Sequence, residues 1–139
     1  MLIPHPVGGA ALQSPDAVAF FDSDGQPLLT WRAVRKAVAQ RADGLMAEGV
    51  TSQSIVGIEA ARGVDTALDL FACSWLGATA FPYADGVEAA TRLAAADARS
   101  LRPILGAERP ERQLDLETRV LRVLSSGSTG APKVIDLSL

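Results

Sequence analysis

Residues 123–135 read Val-Leu-Ser-Ser-Gly-Ser-Thr-Gly-Ala-Pro-Lys-Val-Ile, and the side chains best able to do chemistry are concentrated there. Ser125, Ser126, Ser128 and Thr129 supply hydroxyls. Gly127 and Gly130 let the backbone approach a ligand closely, and successive backbone N–H groups can line a concave anion site. Lys133 adds a full positive charge. Pro132, which fixes its own φ and donates no hydrogen bond, stiffens the backbone just before it. These are the parts of a phosphate-binding loop.

A Walker loop needs its lysine directly after the last glycine and a Ser or Thr directly after the lysine. Here Ala131 and Pro132 intervene between Gly130 and Lys133, and Val134 stands where the metal-binding hydroxyl would be. The β-branched pair Val134-Ile135 also favours a strand over the helix that a Walker loop opens. Strand, loop, strand is therefore the expected setting. A plain serine–glycine linker would not combine a preceding apolar strand with a placed Pro-Lys.

Elements that could position this loop are legible upstream. The apolar runs Val18-Ala19-Phe20-Phe21 and Pro27-Leu28-Leu29-Thr30 flank the turn formers Asp22-Ser23-Asp24-Gly25, which predicts a β-hairpin. Thr30 then caps a helix whose apolar positions Trp31, Val34, Val38, Ala42 and Leu45 recur at helical spacing, with Gly49 closing it. Its Arg32, Arg35 and Lys36 read as a solvated face. Residues 54–59 predict a buried strand, and residues 64–76 a second helix, with Val64, Leu68, Phe71, Ala72 and Trp75 on one side and Gly77 at its end. Residues 78–81 predict a strand stopped at Pro82. Residues 87–99 predict a third helix with Val87, Ala90, Leu93 and Ala94 as its stripe. Phe71, Trp75 and Phe81 are read as core before pocket lining. Residues 103–106 predict a short strand, residues 107–118 an exposed connection, and residues 120–124 the strand that enters the loop. Alternation of this kind specifies an α/β fold: a largely parallel sheet flanked by helices, behind an amino-terminal β-hairpin.

With 139 residues, 48% of them apolar, the chain can build one domain or part of one. Net charge −3 without a basic stripe argues against nucleic acid and anionic membranes as partners. The most apolar stretch, residues 70–84, is too short to span a membrane and contains Gly77 and Pro82. The amino terminus lacks the charge and apolar core of a secretory signal, so a cytoplasmic protein is expected. Cys73, the single cysteine, reads as a buried thiol in a reducing compartment. His5, the single histidine, lies between Pro4 and Pro6 with no ligand cluster, and reads as part of an unstructured tail over residues 1–13. No metal ligands and no catalytic acid, base or nucleophile are assigned.

Residues 125–133 resemble the glycine-rich signature of the adenylate-forming superfamily, Thr/Ser-Ser-Gly-Thr/Ser-Thr-Gly-x-Pro-Lys, position for position, with Ala131 at the free place. This superfamily comprises acyl- and aryl-CoA synthetases, peptide-synthetase adenylation domains and luciferases. The resemblance extends over residues 14–138 through weaker similarities in order: Asp16-Ala17-Val18-Ala19, Leu29-Thr30-Trp31, Leu45 to Val50, Trp75-Leu76-Gly77-Ala78 and Phe81-Pro82. It departs from the family pattern at Val134, where glycine commonly follows the lysine, and at Leu139, where a histidine near the acyl pocket is common.

The resemblance implies activation of a carboxylic acid with Mg2+ and ATP to an acyl-adenylate, then transfer to coenzyme A or a carrier protein's phosphopantetheine. Ser125, Ser126, Gly127, Ser128, Thr129, Gly130 and Lys133 would hold the ATP phosphates as pyrophosphate leaves. Residues 14–139 would form the amino-terminal part of the adenylation domain, ending just after the loop. In the family, the magnesium-binding glutamate, ribose-binding aspartate, hinge and mobile carboxyl-terminal domain all lie further downstream. The chain alone is therefore expected not to complete adenylation, and to self-associate through exposed sheet edges. Two other readings compete: a freestanding nucleotide or phosphate-binding module without turnover, and a non-catalytic association protein.

Overall fold

The computed structural model of the chain describes residues 2–59, 63–83, 113–115, 119–125 and 133–138. In chain order the elements are β1 (Leu2–Pro4), α1 (Pro6–Gln13), β2 (Val18–Phe21), β3 (Pro27–Thr30), α2 (Trp31–Ala47), β4 (Ile55–Glu59), α3 (Val64–Leu76), β5 (Thr79–Tyr83), β6 (Gln113–Asp115), β7 (Arg119–Ser125) and β8 (Lys133–Ser138). The predicted helix over residues 87–99 and the strand over residues 103–106 lie outside the described residues.

β2 and β3 form the expected antiparallel hairpin. Its turn is held by Asp22, whose Oδ1 accepts from the backbone N–H of Asp24 at 2.9 Å and of Gln26 at 2.8 Å. At the end of β3, Thr30 Oγ1 accepts from Ala33 N–H at 3.3 Å, and α2 begins. α2 stops where Gly49 N–H bonds the Met46 carbonyl and Val50 N–H bonds the Leu45 carbonyl. α3 stops in the same 6→1, 5→2 pattern, with Gly77 at φ 73°, a left-handed conformation that glycine adopts without Cβ strain.

The main sheet has the order β4-β5-β7-β8. β4 pairs parallel with β5 from Ile55↔Thr79 to Glu59↔Tyr83, β5 pairs parallel with β7 at Ala80↔Leu121, and β8 returns antiparallel to β7. The largely parallel α/β architecture read from the sequence is the one observed. α2 and α3 cover the sheet through small side chains: Ala42, Ala72 and Cys73 meet Ile58, Leu76, Ala78 and Ala80 in one core cluster. A second cluster joins Val7, Val34, Val38 and Leu68, with Phe20, Leu29 and Trp31 packed against it. Arg41 of α2 bridges to Asp65 and Asp69 on α3 at the outer edge of the helix pair.

Four readings need correction. Residues 54–59 do not form a strand buried throughout. Ser54 precedes β4 and is held by Thr51, whose backbone N–H donates to Ser54 Oγ at 2.8 Å, while Gly57 and Glu59 are exposed. Pro82 does not end β5 but lies within it, opposite Ile58; the pairing with β7 is recorded at Ala80, short of the proline. Within residues 107–118, Gln113–Asp115 form β6, paired antiparallel with β1.

The fourth concerns His5, which is 1% exposed, not part of an unstructured tail. It caps α1, its Nδ1 accepting from Val7 N–H at 3.2 Å, and Pro6 supplies the first helical position, where no N–H is needed. With Nδ1 accepting, the neutral ring carries its proton on Nε2, which donates to Ser74 Oγ at 2.9 Å. Ser74 Oγ donates in turn to the Phe71 carbonyl at 2.9 Å. The ring meets Trp75 edge-on, centroids 5.0 Å apart. Replacing His5 by alanine removes the cap, leaves Ser74 without its donor and opens a cavity beside Trp75. The expected loss is about 2–4 kcal/mol in urea unfolding, against about 1 kcal/mol for Ser74→Ala; equal stability of His5→Ala and the parent chain would show that this anchor contributes nothing.

Candidate functional site

Parallel pairing sets the direction of β4, β5 and β7, so their carboxyl ends, at Glu59, Tyr83 and Ser125, point to one edge of the sheet. In open α/β sheets that edge is where ligands bind, because chain leaving the strands there can be shaped without breaking the ladder. β8 begins on the same edge. Ser125 and Lys133 are cross-strand partners, so the signature occupies the connection between β7 and β8. The strands expected on either side of the signature are observed, as β7 and β8. Ser126, Gly127, Ser128, Thr129 and Gly130 lie outside the described residues; of the predicted site residues the structure describes Ser125 and Lys133, and it places them opposite each other.

Behind that pair the ladder runs Leu124↔Val134, Val123↔Ile135, Arg122↔Asp136 and Leu121↔Leu137, with a register shift before Leu121. Leu121 packs against the first core cluster. Successive side chains alternate faces, so Arg122 and Asp136 share the opposite one. Arg122 Nε lies 2.6 Å from Asp136 Oδ1 and Nη2 lies 2.9 Å from Oδ2, a bidentate fork; Arg119 Nη1 adds a contact to Oδ2 at 2.7 Å. The Arg122 side chain is only 9% exposed. The hydrogen bonds from Arg122, joined by those from Arg119, outweigh partial burial and lower the Asp136 carboxyl to about 2. Sequence reading missed this cluster. Its signal was an arginine interrupting an apolar strand and an aspartate interrupting the next, which becomes informative only once the register is known.

A cavity of about 320 Å³ opens between α2, α3 and β4, lined by Leu45, Val56, Gly57, Ile58, Glu59, Asp69 and Cys73. It lies at the β4 end of the sheet, separated from β8 by β5 and β7. Cys73 is fully buried there, as the sequence predicts. Desolvation, with a smaller contribution from the Asp69 charge, pushes its thiol up to about 12. Among the described residues no group of three His, Cys, Asp or Glu side chains could hold a metal ion, and no helix is long and apolar enough to cross a membrane.

No protein-family model matches the chain, and no curated protein matches it in sequence. Solved structures do match in fold. O-succinylbenzoate coenzyme A synthetase (MenE) from Bacillus subtilis, in complex with AMP, superposes with a TM-score of 0.82 at 16% identity, covering 100% of this chain and 43% of that one. The Klebsiella oxytoca NpsA N-terminal subdomain, in complex with anthranilyl-AMSN, gives 0.78 at 21% identity, covering 99% and 42%. A luciferase-like enzyme from the nonluminescent Zophobas morio mealworm gives 0.74 at 19% identity, covering 95% and 41%. The chain thus has the fold of the amino-terminal subdomain of adenylate-forming enzymes and spans about two fifths of the length of these neighbours.

Two measurements check the electrostatics. The folded pKa of Asp136 lies below the unfolded value of about 3.9, so its contribution to stability is present above about pH 4 and is lost as pH falls through about 2. The melting-temperature difference between the parent chain and Asp136→Asn should be constant near neutrality and close as pH approaches 2. A difference independent of pH would show that the ionised pair contributes nothing. For Cys73, a pKa of about 12 leaves roughly one thiol in ten thousand ionised at pH 8. Iodoacetamide labelling should therefore require unfolding and speed up sharply in urea; rapid labelling of the native chain would contradict the burial.

Proposed function

We propose that this chain is the amino-terminal part of an adenylate-forming ligase and that the segment joining β7 to β8 holds the phosphates of ATP. The observation that supports it is the register of Ser125 with Lys133, which brings the two ends of the signature together at the edge where the parallel strands end, the edge that carries ligands in open α/β sheets. The fold likeness to solved adenylate-forming enzymes supports the same reading.

The chemistry asked of these residues is electrostatic. Phosphoryl and nucleotidyl transfer need positioning and charge neutralisation more than covalent help from the protein. Ser125, Ser126, Ser128 and Thr129 would donate hydrogen bonds to phosphate oxygens, Gly127 and Gly130 would let the backbone close on them, and Lys133 would take up charge as pyrophosphate departs. Mg2+ bound with ATP would supply charge neutralisation, while Ser125, Ser126, Ser128, Thr129 and Lys133 would bind and orient the phosphates. In the whole ligase, a carboxylic acid is activated to the acyl-adenylate and passed to the thiol of coenzyme A or of a carrier protein. This chain's share is the phosphate site, and adenylation is completed with residues outside it.

Isothermal titration of Mg-ATP into the chain and into Lys133→Ala tests the reading. Removing a charged hydrogen-bond donor should weaken binding by about tenfold to a hundredfold. No pyrophosphate should appear when a carboxylic acid is added to this chain alone. Equal binding by the two proteins, or none by either, would reject the assigned phosphate site; acid-dependent pyrophosphate release would show that the chain needs no complement.

A further inference from the structure

We propose that Arg122 and Asp136 are positioning residues that fix the register of β7 and β8 and so hold Ser125 and Lys133 opposite each other at the phosphate site. The inference rests on the phosphate-site reading above.

Among the described side chains of β8, burial does little to pin the strand. Ile135 and Leu137 remain 42% and 43% exposed, so moving the strand by one residue would forfeit little apolar contact. Strands whose faces are not buried are the ones whose register is weakly specified. The β7–β8 ladder already contains a shift, between Arg119 and Leu121. Regular pairing resumes through Arg122↔Asp136 and continues unbroken to Ser125↔Lys133.

At that point the contact is specific in a way apolar packing is not. A guanidinium fork fits a carboxylate in one plane and at one separation, and Arg122 makes two such bonds across the strand pair. Arg119, from the other side of the shift, binds the same carboxylate. One aspartate therefore ties down β7 on both sides of its irregularity. A one-residue slip of β8 would break the fork, turn Lys133 to the other face and move it roughly 3.3 Å along the strand.

Asp136 itself is no phosphate contact. It lies three positions along the strand from Lys133, roughly 10 Å, and a carboxylate there repels an anion at the sheet edge. The sign of its effect on binding thus separates positioning from direct electrostatics. Removing a negative charge should tighten phosphate binding on Coulombic grounds, whereas loosening the register should weaken it.

The test is titration of Mg-ATP and of Mg-pyrophosphate into the full chain, its Asp136→Asn and Arg122→Lys variants, and Lys133→Ala. Amide hydrogen exchange over residues 121–125 and 133–137 is followed in parallel. Arg122→Lys keeps the charge and loses the fork, and it decides the matter if Asp136→Asn does not fold. Both substitutions should weaken binding about tenfold in the folded protein and raise exchange in the strand ends, with Asp136→Glu restoring binding to within about threefold. Unchanged or tighter binding by the folded Asp136→Asn or Arg122→Lys variant, while Lys133→Ala has lost it, would overturn the positioning role and leave the phosphate site standing. Absence of binding by the parent chain would remove the phosphate-site reading, and this inference with it.

Discussion

In the β4–β5 pair both strands run the same way, so the chain leaving Glu59 must travel back along the sheet before it can pair again. α3 is that return path, and its burial determines what surrounds it. It lies against α2 on one side and the strands on the other, through Ala42, Ala72, Ala78 and Ala80, side chains small enough for the layers to approach closely. The same directional constraint brings the carboxyl ends of β4, β5 and β7 to a single edge. Only after β7 does the chain reverse, and the reversal is where the signature lies. An antiparallel return at the edge where the parallel strands end is thus a consequence of how the sheet is wound.

Much of this was legible because local chemistry and tertiary packing agree. The period of Val34, Val38 and Ala42 is the buried stripe of α2, and Thr30, Gly49 and Gly77 sit at helix ends where their hydrogen bonds are made. Asp22 could be read as a turn residue because its carboxylate bonds backbone groups only a few residues away. The signature could be assigned to a strand–loop–strand setting because Val134 and Ile135 do not suit a Walker helix.

What escaped the sequence depends on partners distant in the chain. His5 caps a short helix containing Gly8 and Gly9, and its burial comes from Phe71, Ser74 and Trp75, which no local pattern connects to it. β6 is a three-residue strand whose identity comes from pairing with β1 at the other end of the sequence. Pro82 misled for the opposite reason: its local rule is sound for a strand paired on both sides, but the described pairing to β7 is at Ala80, before the proline. Arg122 and Asp136 each look like a surface charge placed in an apolar strand, and only the register makes them a pair.

Charge placement along β7 and β8 shows what composition hides. The whole chain is net −3, and nothing in that figure suggests an anion site. Yet the described part of β7 and β8 carries Arg119, Arg122 and Lys133 in its sequence against the single carboxylate of Asp136, which Arg119 and Arg122 bind. Two of those cations are committed to Asp136, which holds them in place and limits their own reach toward an anion. The arrangement separates two tasks that a bare cluster of lysines would confuse. In the proposed site the arginine–aspartate group would supply geometry within the sheet, and Lys133 would supply charge. A positive field built this way would need no basic face, and an acidic surface elsewhere would be screened from it at short range.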